Sequence, residues 1–166
     1  MATTDNLQSA FAGESQANRK YLAFAKKAEA DGFAQVAKLF RAAADAETIH
    51  AHAHMRVLGW VKDTAANLQA AAEGEAYEFK KMYPEFLQMA KDEGNKPAEI
   101  SFRNALAVEE VHHSLYQRAI EAVKAGHDLP AQALFVCPIC GYTVGPAAPG
   151  KCPVCNTAGN RFAEVK

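Results

Sequence analysis

The chain has 166 residues, 49% hydrophobic and 22% charged, with a formal net charge of -1 at pH 7, enough for one domain with a core or a medium domain with an appendage. The near-neutral balance, without a basic stripe, speaks against nucleic acid as a partner, and no apolar run has the length of a membrane span. The N-terminal MATTDNLQSAFAGES has neither the basic nor the apolar region of a secretory signal, so the expected location is the cytoplasm.

The 35 alanines favour helix. Residues up to about 127 read as four helical segments, roughly 4–30, 33–58, 64–93 and 97–125, broken at Asp31-Gly32, near Gly59 and at Gly94-Asn95. Asp63-Thr64 offers a cap for the third segment, and Asn95 or Lys96 precedes Pro97 in the first turn of the fourth. Pro84 lies inside the third segment and predicts a kink.

Each segment has an inner stripe at helical spacing, and each stripe carries a carboxylate where a core needs apolar residues. The first runs Leu7, Phe11, Glu14, Tyr21, Phe24, and the second Val36, Phe40, Ala43, Glu47, His50, His54, Val57. The third runs Leu68, Ala72, Glu75, Glu78, Met82, Phe86, and the fourth Phe102, Ala105, Glu109, His112, Tyr116, Ile120. Five carboxylates, with the histidines of the two Glu-x-x-His pairs and no Lys or Arg on these stripes, cannot neutralise one another, and an unpaired buried carboxylate costs several kcal/mol. Two divalent cations meet that demand, and the donor set suits iron or manganese. Glu-x-x-His occurs as Glu47–His50 and as Glu109–His112, and this spacing puts both side chains on one helix face. With single glutamates from the other helices, this is the di-metal pattern of a four-helix bundle. Glu110 and His113 form a competing Glu-x-x-His register, but their stripe runs into Gln117 and Lys124, so Glu109 and His112 are preferred. His54 is read as a core or supporting histidine, and His52 and His127 as solvated.

After Gly126 the helical period stops, and HDLPAQALF reads as a linker. The remainder is too small for a core of its own and needs a staple. Cys137, Cys140, Cys152 and Cys155 form two Cys-x-x-Cys pairs, a tetrahedral site for iron or zinc. Gly141 and Asn156, one after each pair, tolerate the left-handed backbone of a metal knuckle.

The chain resembles the rubrerythrin family over nearly its whole length. The resemblance rests on AFAGESQANRKY (10–21), ADGFAQVAKLFRAAADAETIHA (30–51), AAEGEAYEFKKMYPEF (71–86), FRNALAVEEVH (102–112) and VCPICGYT (136–143). It implies a mainly α fold: a ferritin-like four-helix bundle over 1–130, then a rubredoxin-like domain over 131–166. It implies that Glu14, Glu47, Glu75, Glu109 and His112 hold a di-iron centre, and that Glu78 and His50 exchange as ligands to one iron with oxidation state. Tyr21 and Tyr83 match tyrosines near the site. The four cysteines match the ligands of a single iron, with zinc a possible substitute. The implied activity is reduction of hydrogen peroxide to water, with electrons passing through the Cys-bound iron from an external, NAD(P)H-linked reductase. No nucleotide-binding fingerprint is present in the chain itself. Ferritin-like iron oxidation and storage, and a zinc-ribbon interaction module, are the competing readings.

The link between the second and third helices predicts a dimer. In a ferritin-like bundle these helices run parallel, so the link spans about 33 Å, counted as two arms of about eleven residues from Glu47 and to Glu75. Gly59 to Asp63, fully extended, reaches only about 17 Å. Either the third helix starts late, near Ala72, or the first helix pair of one chain packs with the second pair of another, as a helix-swapped homodimer. The swap is the expectation.

Overall fold

In the computed structural model of the protein, residues 2–166 are described. They are mostly helical, and packing divides the chain into a unit ending at Lys62 and a unit Asp63–Lys166.

The first unit is a helical hairpin, α1 (Ala2–Ala30) and α2 (Ala34–Val57). The turn follows from Gly32 at φ +85°, a left-handed position that a side chain resists. There the Gly32 N–H donates to the Glu29 carbonyl and the Phe33 N–H to the Ala28 carbonyl, the Schellman closure. Gly59, Gly94 and Gly126 end their helices with the same pair of bonds. The buried face is built from Ala25, Ala28, Ala37, Ala44 and Ala51, and small side chains let two helices approach closely. Asn18 is the buried polar residue of this face. Its Nδ2 donates to the Ala44 carbonyl at 2.7 Å and the Thr48 hydroxyl at 2.9 Å, tying α1 to α2.

The second unit opens with α3 (Thr64–Tyr77), whose first turn is capped by Asp63 accepting from the Ala66 N–H at 2.8 Å. The late start near Ala72 is therefore not taken. The third helical run is interrupted by a π turn at Glu78–Met82 before α4 (Tyr83–Asp92). The reason lies in Pro84, which has no N–H for the carbonyl four residues back. The ladder widens ahead of it, and the Tyr83 N–H donates to the Glu78 carbonyl. Asn95 caps α5 (Lys96–Lys124), with Pro97 in the first turn.

The helices of this unit bury Ala72, Ala90, Val108, Ala119, Ile120 and Ala122. Three two-residue strands follow, β1 (Phe135–Val136), β2 (Thr143–Val144) and β3 (Ala163–Glu164), in the antiparallel order β2-β1-β3. No helix among the described residues is long and apolar enough to cross a membrane.

Several large residues of the predicted inner stripes are not buried in the single chain. Phe24 is 47% exposed, Val36 44%, Phe86 41% and Val57 71%. The fully buried positions are mainly alanine, so the bulk that would fill a bundle centre has no cover of its own.

Candidate metal centres

The four cysteines converge from two hairpin knuckles. After β1, the Gly141 N–H donates to the Cys137 carbonyl and the Cys137 N–H to the Tyr142 carbonyl. The second knuckle repeats this with Asn156 and Thr157 around Cys152, and Asn156 takes the left-handed backbone at φ 61°. The Sγ atoms of Cys137 and Cys155 lie 3.6 Å apart, and those of Cys140 and Cys152 3.5 Å. A disulfide needs about 2.05 Å. Tetrahedral metal–sulfur bonds of about 2.3 Å put sulfurs about 3.8 Å apart, so the spacing is that of ligands around an ion.

The thiols are also prepared for ionisation. Burial pushes the Cys155 thiol up, yet donation from the Thr157 hydroxyl and N–H outweighs it and brings the group down to about 6. Burial likewise opposes ionisation of Cys137, and the backbone N–H groups of Cys140 and Ile139 overcome it. Cys140 goes the other way, raised chiefly by burial.

The carboxylates form two groups, one in each unit. Glu14, Glu47 and His50 offer ligand atoms within 4.8 Å of one another, and so do Glu75, Glu109 and His112. In the first, Glu14 comes from α1, while Glu47 and His50 come from successive turns of α2. The His50 Nδ1 lies 3.0 Å from Glu47 Oε2, with the His50 side chain 55% exposed. In the second, Glu75 comes from α3, while Glu109 and His112 come from α5. The His112 Nδ1 lies 2.8 Å from Glu109 Oε2 and 3.7 Å from Glu75 Oε1. The His112 Nε2 faces the Thr143 hydroxyl at 3.0 Å.

In each group the two glutamates lie close enough for their carboxyls to share a proton, Glu14 with Glu47 and Glu75 with Glu109. Two carboxylates can share a bond only around a proton or a cation. Their titration reflects this. The bond to Glu47 raises Glu14, and the same bond, with that to His50, lowers Glu47. Burial first, then Glu109 and Glu78, raises Glu75 to about 7. Burial and the Glu109 charge raise Glu78. Anionic oxygen and imidazole donors, held together with no Lys or Arg, fit a hard or borderline divalent metal.

The remaining predicted residues fall around these groups. Glu78, on the π turn, is near enough for its titration to feel Glu109 and His112 but stands outside the second three-residue group. Burial, then the charges of Glu78, Glu109 and Glu75, raises Tyr83, so its phenol faces the acidic cluster. Tyr21 packs its ring with Phe24 and Phe40. Of the two competing registers, Glu109 and His112 lie with Glu75. His113 instead turns its Nδ1 to the Ala72 carbonyl at 2.9 Å and packs at a tilt against Phe79, and Glu110 is exposed. Thr143 was not among the residues singled out from sequence. A Thr two residues past a knuckle glycine carries no pattern of its own.

Paired Glu/Glu/His groups on helices, together with a four-thiolate knuckle, define a non-haem metalloprotein with carboxylate groups suited to di-iron and a rubredoxin-like iron site. The family description "Rubrerythrin" matches residues 5–120, and "Rubrerythrin, rubredoxin-like domain" matches residues 135–163. The chain belongs to the rubrerythrin family. It is 35% identical to rubrerythrin-2 of Clostridium acetobutylicum, over 96% of this chain and 95% of that protein. It is 39% identical to nigerythrin of Nitratidesulfovibrio vulgaris, over 93% of this chain and 82% of that protein. A solved structure described as "Fully reduced state of nigerythrin (all ferrous)" matches with a TM-score of 0.59 at 34% identity, covering 98% of this chain and 86% of that one.

Proposed function

We propose that the protein is a non-haem di-iron peroxidase that reduces hydrogen peroxide to water in defence against oxidative stress, with electrons delivered through the four-thiolate iron. The observation that carries this reading is the presence in one chain of two Glu/Glu/His groups and a complete four-cysteine site. An iron store has no need of a private electron donor, whereas a two-electron reduction needs one. The balance is one H2O2, two protons and two electrons to two waters. Iron held by the carboxylates would supply the two electrons, and iron held by Cys137, Cys140, Cys152 and Cys155 would pass on electrons from an external reductase that draws on NAD(P)H.

The di-iron ligands in this reading are Glu14, Glu47, His50, Glu75, Glu78, Glu109 and His112, with Glu78 and His50 the pair that exchange. Glu75 must release its proton to serve as a ligand, so the proton demand falls on groups outside the ligand set. The Tyr83 phenol stays protonated beside the cluster and could donate a hydrogen bond to peroxide, and Tyr21 would have the corresponding role from α1. Four free thiols suit a reducing cytoplasm.

The working form is a homodimer with exchanged helix pairs. Three observations support it. The link between α2 and α3 is only Leu58–Asp63. Each unit carries one Glu/Glu/His group. Large apolar residues of the inner stripes are uncovered in the single chain. Beside Glu75 and His112 lies a cavity of about 970 Å³ walled by Leu68, Leu115, Tyr116 and Leu134. That is far too large and apolar for hydrogen peroxide and fits a packed side-chain surface. Each site then takes Glu14, Glu47 and His50 from one chain and Glu75, Glu78, Glu109 and His112 from the other.

The test is a peroxide titration of the anaerobically reduced, iron-loaded protein, following the visible spectrum. Prompt reoxidation of both iron types at the balanced electron count, much faster than with dissolved oxygen, supports the reading. A sluggish reaction, or a thiolate site without reducible colour, overturns it.

A further inference from the structure

We propose that Thr143 is a positioning residue for the carboxylate centre. It belongs to the rubredoxin-like segment, yet it selects which nitrogen of His112 faces the metal. The inference rests on the reading that Glu75, Glu109 and His112 hold metal, and it concerns a residue outside that ligand set.

The argument is one of donors and acceptors. The Thr143 hydroxyl lies 3.0 Å from the Gly141 carbonyl and 3.0 Å from the His112 Nε2. A carbonyl oxygen can only accept, so when the hydroxyl proton goes to Gly141 the hydroxyl offers His112 only lone pairs. In that arrangement the Nε2 carries the hydrogen and donates, and it is the arrangement that metal binding at the nitrogen facing the carboxylates requires. A neutral His112 is left with its bare lone pair on Nδ1, which faces Glu109 Oε2 at 2.8 Å and Glu75 Oε1 at 3.7 Å. A lone pair aimed at two carboxylates is favourable only where a proton or a cation lies between them, and metal binding supplies the cation. Thr143 thus prepares His112 as an Nδ1 ligand, and it holds the ring plane as it does so.

The support is itself anchored. Thr143 begins β2 and pairs with Val136 of β1, the two strands that flank the first cysteine knuckle. Gly141, at the tip of that knuckle, lies against α5: a Cβ placed there would meet Val108 Cγ1 at 3.7 Å. Val108 is 2% exposed and immediately precedes Glu109. The knuckle, the hydroxyl and the ligand-bearing turn of α5 form one packed block within a single unit. A formed thiolate knuckle therefore holds the outer partner of a carboxylate-site ligand.

The test uses the full chain with 15N-labelled histidine, loaded with zinc(II), which is diamagnetic and fills both kinds of site. For the wild type, we expect zinc on His112 Nδ1 and a slowly exchanging Nε2–H resonance. Thr143→Val keeps the shape and removes the acceptor. Its Nε2–H should exchange rapidly, and its carboxylate-site zinc affinity should fall about 10- to 100-fold. Thr143→Ser restores the hydroxyl and should restore both. Zinc on Nε2 in the wild type overturns the proposal, and this measurement needs no variant. Unchanged exchange and affinity in Thr143→Val also overturn it, while the metal centre stands. Zinc confined to the four thiolates would instead overturn the metal reading of the carboxylates, and the proposal with it. Peroxide turnover is not read in any arm.

Discussion

Glu75 shows how a single residue links protonation, metal and stability. Its carboxyl is raised from 4.5 to about 7, first by burial and then by Glu109 and Glu78. Between those two values the folded, metal-free protein holds a proton that the unfolded chain has released. Stability therefore falls as pH rises from about 4.5 to about 7. Thermal unfolding of the metal-free protein from pH 5 to 8 should show this decline, and Glu75→Gln should flatten it. Metal must displace the same proton, so zinc affinity at the carboxylates should weaken as pH falls below about 7, with proton release on binding detectable by buffer-dependent calorimetry. Cys155 gives a second residue-scale test. Its thiol stands at about 6 because the Thr157 hydroxyl and N–H outweigh the effect of burial. Thr157→Val removes the hydroxyl donor 3.1 Å from the sulfur. The pH midpoint for alkylation of Cys155 in the metal-free protein, read by peptide mass spectrometry, should move up toward the usual thiol range. An unmoved midpoint would assign the lowering to the Thr157 N–H and the neighbouring Cys140 and Cys137.

At the scale of the helix pair, α1 and α2 meet through alanines, so little apolar mass fixes their register. Asn18 supplies it, through bonds to the Ala44 carbonyl and the Thr48 hydroxyl. Its Oδ1, however, is buried without a partner among the described residues. Asn18→Ala loses two hydrogen bonds but also relieves that orphan oxygen, so the net cost should be only about 1 kcal/mol by denaturant unfolding. A loss several times larger would mean that Oδ1 is bonded in the working assembly. The helices themselves were legible because their punctuation is local: Gly32, Gly59, Gly94 and Gly126 close them, and Asp63 and Asn95 open them. The misplaced carboxylates were legible as a violation of periodicity. The π turn was not, since Pro84 announces a break without saying that the ladder will widen over Glu78–Met82. Nor was the bond from His112 to Thr143, which joins residues 31 apart through a tertiary contact that no local pattern encodes. Phe24 and Phe86 sit on inner stripes yet stay exposed in the single chain, because periodicity marks a face and not what covers it.

For the whole molecule, the exchanged dimer makes a prediction that a self-contained bundle cannot meet. If each centre joins the first helix pair of one chain to the second unit of another, two crippled chains can repair each other. Let one variant carry Glu14→Ala and Glu47→Ala, and the other Glu75→Ala and Glu109→Ala. Each homodimer has two defective centres and should bind no metal at the carboxylates. In an exchanged heterodimer both lesions fall in the same centre, and the other centre is assembled wholly from native residues. Random reassortment makes about half the dimers mixed, each with one intact centre of two, so carboxylate-site metal should recover to about a quarter of the native content. In a bundle closed within each chain, every centre in the mixture keeps one lesion and nothing recovers. Measuring bound iron after co-refolding separates the outcomes without reading turnover. Lengthening the Leu58–Asp63 link with a flexible insert gives the converse test. Once the link can span a bundle's length, the chain should close on itself, become monomeric at low concentration and keep its metal, because loop closure grows only slowly more costly with length. If the native-length chain is already monomeric with full carboxylate-site metal, the exchange is wrong, and the short link must be accommodated by a bundle of different connectivity.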